Sequence, residues 1–107
     1  MLIFNTTFHT DDEVHEEFLH FMSTIYIPQA TKSGILTDPR FCRIRPNHQQ
    51  HGSSYSLQFR VADDEALNKW RDDRGEVLHQ RLIHKFGSKV TGFVTVMDEM
   101  DTQQNNG

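Results

Sequence analysis

The stretch Ser54-Tyr55-Ser56-Leu57-Gln58-Phe59-Arg60-Val61 alternates polar and apolar side chains without a break. A period of two over eight residues marks a strand with one buried face. Burying Tyr55, Leu57, Phe59 and Val61 contributes roughly 1.5–3 kcal/mol each before chain entropy is subtracted. Ser54, Ser56, Gln58 and Arg60 then stand on the opposite face. The apolar side builds the fold, and function is expected on the polar side.

The neighbouring stretches supply the other elements. Residues 2–9 read as strand one, with Leu2, Phe4, Thr6 and Phe8 on one face and Ile3, Asn5, Thr7 and His9 on the other. Thr10-Asp11-Asp12-Glu13 opens a helix, with a polar cap followed by acids where the macrodipole favours them. Val14, Phe18, Phe21, Met22 and Ile25 recur at helical spacing up to about Tyr26. Pro28 lacks an amide donor and disfavours helix at Ile27. The first helix is therefore expected to end there, with a short turn over residues 28–33 and Gly34 as its cap.

Phe41-Cys42-Arg43-Ile44-Arg45 is the regular part of strand two. Cys42 and Ile44 are assigned to the core face, and Phe41, Arg43 and Arg45 to the polar face. Residues 46–52 form a loop by composition and return the chain into strand three as a hairpin. Ala62-Asp63-Asp64-Glu65 starts a second helix whose stripe is Ala66, Leu67, Trp70, Val77, Leu78 and Leu82. Arg74 and Arg81 fall within that stripe, where they pair with acids, snorkel or line a pocket. Gly75 weakens the middle by up to about 1 kcal/mol relative to Ala. Residues 89–97 are strand four, and residues 101–107 are a polar, disordered tail.

The order β-α-β-β-α-β predicts an α+β, ferredoxin-like domain over residues 1–100. Right-handed crossovers place both helices on one face of a four-stranded antiparallel sheet, with strands one and three central. The uncovered face is expected to carry Asn5, Thr7, Arg43, Arg45, Ser56, Gln58 and Arg60, mixed with Ile3, Phe41 and Phe93. Such a face suits a homodimer that encloses a cavity between two sheets. Only 36% of the 107 residues are hydrophobic, in keeping with a core completed by a second copy.

Composition narrows the function classes. A net charge of −4 argues against nucleic-acid or anionic-membrane partners. The central strands also lack the exposed aromatics that RNA-binding sheets use. The single Cys42 excludes an internal disulfide and fits a reducing compartment. The first residues turn polar too early for a signal peptide, and no apolar run reaches the ~20 residues of a transmembrane helix. A cytoplasmic protein is expected.

Ile27-Pro28-Gln29-Ala30-Thr31-Lys32-Ser33-Gly34-Ile35-Leu36, then Phe41-Cys42-Arg43, then Phe86-Gly87 before strand four, resemble a small bacterial family of unknown function. That resemblance implies a ferredoxin-like, dimeric α/β-barrel fold and supplies no catalytic residues.

Among candidate sites, the arginines of strands two and three stand first. Arg43, Arg45 and Arg60 are expected to converge on a patch that suits an anionic small molecule or a partner's acids. The plainer reading is a solvated or dimer-pairing face. The alternative is an enzyme: dimeric-barrel monooxygenases, haem-degrading or cofactor-free, are similar in having Asn on strand one and Trp and His on helix two. Asn5 and Trp70 suit that pattern and a shared cavity. His79 follows Trp70 by nine residues, about 180° away on a regular helix. His84 lies about 21 Å beyond Trp70.

His48 and His51 are too few for zinc and sit in a loop, and Cys42 is expected to be an inert core thiol. No metal or catalytic residue is assigned, and no cofactor is specified. The first expectation is a homodimeric small-molecule-binding or interaction module. The enzyme is the second, and a dimer without a ligand is the third.

Overall fold

The alternating stretch lies in β3, Ser53–Val61, where Tyr55, Leu57, Phe59 and Val61 are buried and Ser54, Ser56, Gln58 and Arg60 are half-buried. The structure, a computed structural model, describes residues 1–46 and 51–102. β3 pairs antiparallel with β1, Leu2–Thr10, and β1 pairs antiparallel with β4, Val90–Asp98. The other edge is β2, Thr37–Ile44, so the order is β2-β3-β1-β4 with β1 and β3 central. The fold is the expected ferredoxin-like α+β architecture. Phe4, Phe8, Leu57 and Phe59 meet Phe18, Phe21, Leu67 and Trp70 in one core between sheet and helices. Among the described residues, no helix is long and apolar enough to cross a membrane.

The first helix does not stop at Pro28. It runs from residue 12 to 31 as a 3₁₀ turn, Asp12–Val14, an α segment, His15–Phe21, a π turn, Met22–Tyr26, and a second α segment, Ile27–Thr31. In a regular α-helix the ring of Pro28 would collide with the carbonyl of Thr24, four residues back. The widened turn contains Thr24 and absorbs that clash. It also inserts one residue into the helical phase. Tyr26 and Ala30 are therefore buried, and Ile25 is only half-buried.

The second helix has the same irregularity. It begins at Asp63, whose side chain accepts the Ala66 amide at 2.8 Å, and comprises Asp64–Trp70, a π turn over Arg71–Gly75, and Glu76–Phe86. Gly75 is required there: a Cβ at this position would lie 2.5 Å from Trp70 Cζ3. Beyond the turn, Leu78, Leu82 and Phe86 are buried, whereas Val77 is 60% exposed. This corrects the stripe extrapolated at constant pitch. The inserted residue turns Val77 and Arg81 outward, and half-buried Arg74 donates to Gln29 Oε1 at 3.0 Å. Trp70 Nε1 donates to the Ala30 carbonyl at 2.8 Å and ties the two helices together.

Strand two faces the opposite way from its expected orientation. Phe41 pairs with Leu57 and Arg43 with Tyr55, so both stand on the helix-covered side. Cys42 pairs with Ser56 and is exposed on the open side, with Ile44 and Arg40. Two causes act together. A register shift between Thr37 and Arg40 adds a residue around Asp38, whose φ is 56°. The Phe41 ring also stacks on Tyr55 at 5.1 Å and tilts against Phe18 at 6.3 Å. An aromatic ring gains more from burial than Cys does, and Ile44 at the strand end has less to cover it. Arg43 donates to Ser53 Oγ at 3.2 Å, and Arg45 is exposed just past the end of β2.

On β4, Val94 and Val96 pair with Thr6 and Phe4 and so share the core face. They are nevertheless 48% and 41% exposed, because the helices leave this edge uncovered. His48 and residues 103–107 of the expected disordered tail lie outside the described residues.

Candidate functional site: an open sheet face and a helix–sheet cleft

The open face carries a self-satisfied polar ladder. Ser56 Oγ donates to Asn5 Oδ1 at 2.6 Å, and Asn5 Nδ2 donates to Thr7 Oγ1 at 3.1 Å. Asn5 is only 7% exposed despite lying on the uncovered side. His9 Nδ1 and Ser54 Oγ are 2.8 Å apart further along the same face. Arg60 is held by Glu99 Oε1, with Nε at 3.0 Å and Nη2 at 2.9 Å. Around that ion pair a depression of ≈330 Å³ is lined by Ile3, Asp38, Arg40, Gln58, Phe59, Arg60 and Glu99. Three exposed apolar side chains flank the ladder: Phe93 at 64%, Ile44 and Met97.

The expected convergence of Arg43, Arg45 and Arg60 does not form. Arg43 is on the other side of the sheet, Arg45 lies beyond the strand, and Arg60 is paired. Arg40 takes the place expected for Arg43, in register with Gln58. Asn5, Thr7, Ser56, Gln58 and Arg60 do share the open face. Their polar atoms are largely engaged with one another or with Glu99, which leaves little of this face free for a ligand within one copy.

The second site is a cleft on the other side of the sheet, between the second helix, β1 and the uncovered edge strand β4. It encloses ≈230 Å³. Phe4, Phe8, Trp70, Leu82, Val90 and Val94 supply its apolar walls. Trp70 meets Phe4 edge-on, with centroids 5.5 Å apart, and Arg71 lies over the Phe4 ring at 5.5 Å. The polar groups are few: Thr6, Tyr26, Arg71, Glu76 and His79. The Glu76 and His79 side chains are exposed and make no hydrogen bond or ion pair among the described residues. Burial pushes the Tyr26 phenol up to about 12.

Both π turns open onto this cleft. Tyr26 closes the first, and Arg71 and Gly75 bound the second. The inserted residue also explains His79. Nine residues from Trp70 equal about 180° on a regular helix, but one π insertion reduces the offset to about 80°. His79 therefore borders the same space as Trp70. Asn5 does not: its side chain lies on the opposite face of β1, so the expected cavity shared by Asn5 and Trp70 is corrected to one with Thr6 in that role. The sequence did hold a trace of the phase change. Arg74 and Arg81 land in an apolar stripe only if the helix is regular.

Among the described residues, no group of three His, Cys, Asp or Glu side chains is placed to hold a metal ion. His15 Nε2 is bonded to Tyr55 OH, and the two rings stack with centroids 5.7 Å apart. This accounts for half-buried His15 at the edge of the core.

Comparison with known proteins bears on the fold. A protein of the ethyl tert-butyl ether D (EthD) family from Bacillus halodurans superposes with a TM-score of 0.70. The two are 17% identical over 94% of this chain and 100% of that one. A candidate antibiotic biosynthesis monooxygenase from Deinococcus radiodurans gives 0.67 at 15% identity, over 100% of both chains. MhuD, in a structure with two manganese protoporphyrin IX bound per active site, gives 0.62 at 14% identity, over 97% of this chain and 100% of that one. Identities this low carry the architecture and no activity. No protein of curated function matches the chain. A family model described as a domain of unknown function (DUF4286) matches residues 1–100, which is nearly the whole chain. The chain belongs to that family.

Proposed function

We propose that this protein is a small-molecule-binding domain that works as a homodimer. Two copies join through the open sheet face, and each takes a small, mostly apolar ligand in its helix–sheet cleft. The observation that carries this reading is the cleft itself: ≈230 Å³ walled by Phe4, Phe8 and Trp70, with His79 and Glu76 unpartnered beside it. Apolar walls with a few convergent polar groups are the usual composition of a ligand site. Two helices that each widen beside the same cavity add support, since π turns are frequent at functional sites. For the dimer, support comes from Phe93, Ile44 and Met97, which are exposed on one face. Asn5, Thr7, Ser56, Gln58 and Arg60 would then border the space between the copies, with Arg40 the guanidinium best placed for a small anion there.

The second reading is an oxygenase-like enzyme acting in the cleft. It is favoured by His79 and Glu76, which could move a proton beside a ligand stacked on Trp70. Fold neighbours described as a monooxygenase and as a porphyrin complex share this architecture.

Indane serves as a probe of suitable size. Saturation-transfer NMR is expected to show it binding the wild type and not Val94→Trp, whose indole would fill the cleft. Equal binding to both proteins, or to neither, would overturn the cleft as the ligand site. Mass photometry bears on the pairing: a monomer at tens of micromolar would remove the dimer.

A further inference from the structure

The cleft contains one polar group whose role neither the core nor the helices explain. Tyr26 is 7% exposed and packs edge-on against Phe8, with centroids 6.0 Å apart, and tilts against Phe21 at 6.4 Å. Its ring is thus fixed from two sides. Its hydroxyl makes no hydrogen bond among the described residues. A buried hydroxyl left unpaired is costly, and buried tyrosines usually find a partner. Yet no fully enclosed polar side-chain atom among the described residues lacks a partner. The Tyr26 oxygen must therefore open onto space, and the cleft is the cavity that Tyr26 borders. Trp70 stands on the same cavity, but its indole N–H is already given to Ala30.

We infer that Tyr26 is the polar anchor of the cleft, where its hydroxyl donates a hydrogen bond to a carbonyl or similar acceptor oxygen of a small ring ligand. This rests on the cleft being the ligand site. The ring class follows from the walls: Phe4, Phe8 and Trp70 offer flat apolar surface, and ≈230 Å³ suits one or two fused rings. The acceptor follows from the donor. A phenol pushed up to about 12 keeps its proton throughout the neutral range, so it presents O–H to the ligand at every relevant pH. Glu76 and His79 are exposed, so neither offers a donor fixed inside the cleft as the Tyr26 ring is.

The test uses two probes with the same bicyclic skeleton, 1-indanone and indane, which differ in one carbonyl. Dissociation constants are measured by NMR titration of the full chain, its Tyr26→Phe variant and its Thr6→Val variant. Comparing the ratio of the two constants between proteins removes the differing hydration of the probes. The preference for 1-indanone is expected to fall roughly tenfold in Tyr26→Phe, the scale of one neutral hydrogen bond. Indane binding is expected to stay within about twofold, which also shows that the variant is folded and its cleft intact. An unchanged ratio in Tyr26→Phe would overturn the anchor while leaving the cleft reading standing. So would loss of the preference in Thr6→Val instead. If indane fails to bind the wild type, the cleft reading itself fails and the anchor falls with it.

Discussion

The two helices each widen by one residue midway, at Met22–Tyr26 and at Arg71–Gly75, but different chemistry stands behind the two turns. In the first helix the cause is local. Pro28 follows the turn after one residue, Ile27, and its ring excludes a regular path past Thr24. In the second helix the cause is tertiary. Gly75 lies under the Trp70 indole, and no side chain fits in the space between them. A turn imposed by one residue's covalent geometry depends on little else. A turn that depends on an aromatic ring held against Phe4 and bonded to Ala30 depends on the whole core. Yet both turns deliver residues to the same cleft, Tyr26 from one side and Arg71 and Gly75 from the other.

The largest test of this difference is to add one more residue to each widened turn. Inserting an alanine after exposed Asp73 adds a residue that the single widened turn does not absorb and turns residues 76–86 by about 100°. Leu78, Leu82 and Phe86 would leave the core, and Val77 and Arg81 would enter it. Three lost apolar side chains are worth roughly 5–9 kcal/mol, comparable with the whole stability of a domain. Thermal melting followed by circular dichroism is expected to show no cooperative transition. The matching insertion after exposed Ser23 misplaces residues only as far as Thr31 and should leave a folded, weakened protein. If the two insertions have equal effects, the second turn is no more bound to the core than the first.

That phase shift also marks what the sequence could and could not reveal. β3 was readable because its period of two is uninterrupted and the four apolar side chains agree. The pairing of strands followed from element order alone. β2 was not readable: one aromatic on one face competed with Ile and Cys on the other, and the extra residue near Asp38 erased the upstream alternation. The cleft was hidden for a related reason. A π insertion leaves no periodic signature, so a wheel drawn at 100° per residue put His79 opposite Trp70. The clues were indirect: Gly75 in mid-helix, and two arginines falling where apolar residues should be. Of the expected open-face residues, those on β1 and β3 were placed well because their partners are fixed by register. Arg43 and Arg45, on the bulged edge strand, were not.

A smaller effect, visible only in alkali, asks whether the first turn places Tyr26 inside. Burial raises its phenol from 10.0 to about 12, so between those values the folded chain keeps a proton that the unfolded chain releases. The associated stability is fully present below pH 10 and is lost as pH rises toward 12. The loss is of order 2–3 kcal/mol. Urea melts across this range are expected to fall more steeply for the wild type than for Tyr26→Phe, which has no proton to lose. Parallel slopes would mean that the phenol meets water freely and that the widened first helix does not bury it.

The smallest effects come from the residues that cause the turns, and they should differ from each other. Gly75→Ala introduces a methyl group 2.5 Å from Trp70 Cζ3, where something must shift. Overpacking of this kind costs about 1–3 kcal/mol. The indole is the neighbour that would have to move, so Trp70→Phe in the same chain should recover part of that loss, a coupling that a double-mutant cycle reads directly. Pro28→Ala faces no such neighbour, because Pro28 is exposed and its ring constrains only its own helix. Removing the ring restores an amide donor but frees the unfolded chain, and the two effects oppose each other to leave a change within about 1 kcal/mol. Should Pro28→Ala instead destabilise the protein as much as Gly75→Ala, with the same coupling to Trp70, the proline-bearing turn would be as much a product of the core as the glycine-bearing one, and the two helices would widen for a single shared reason.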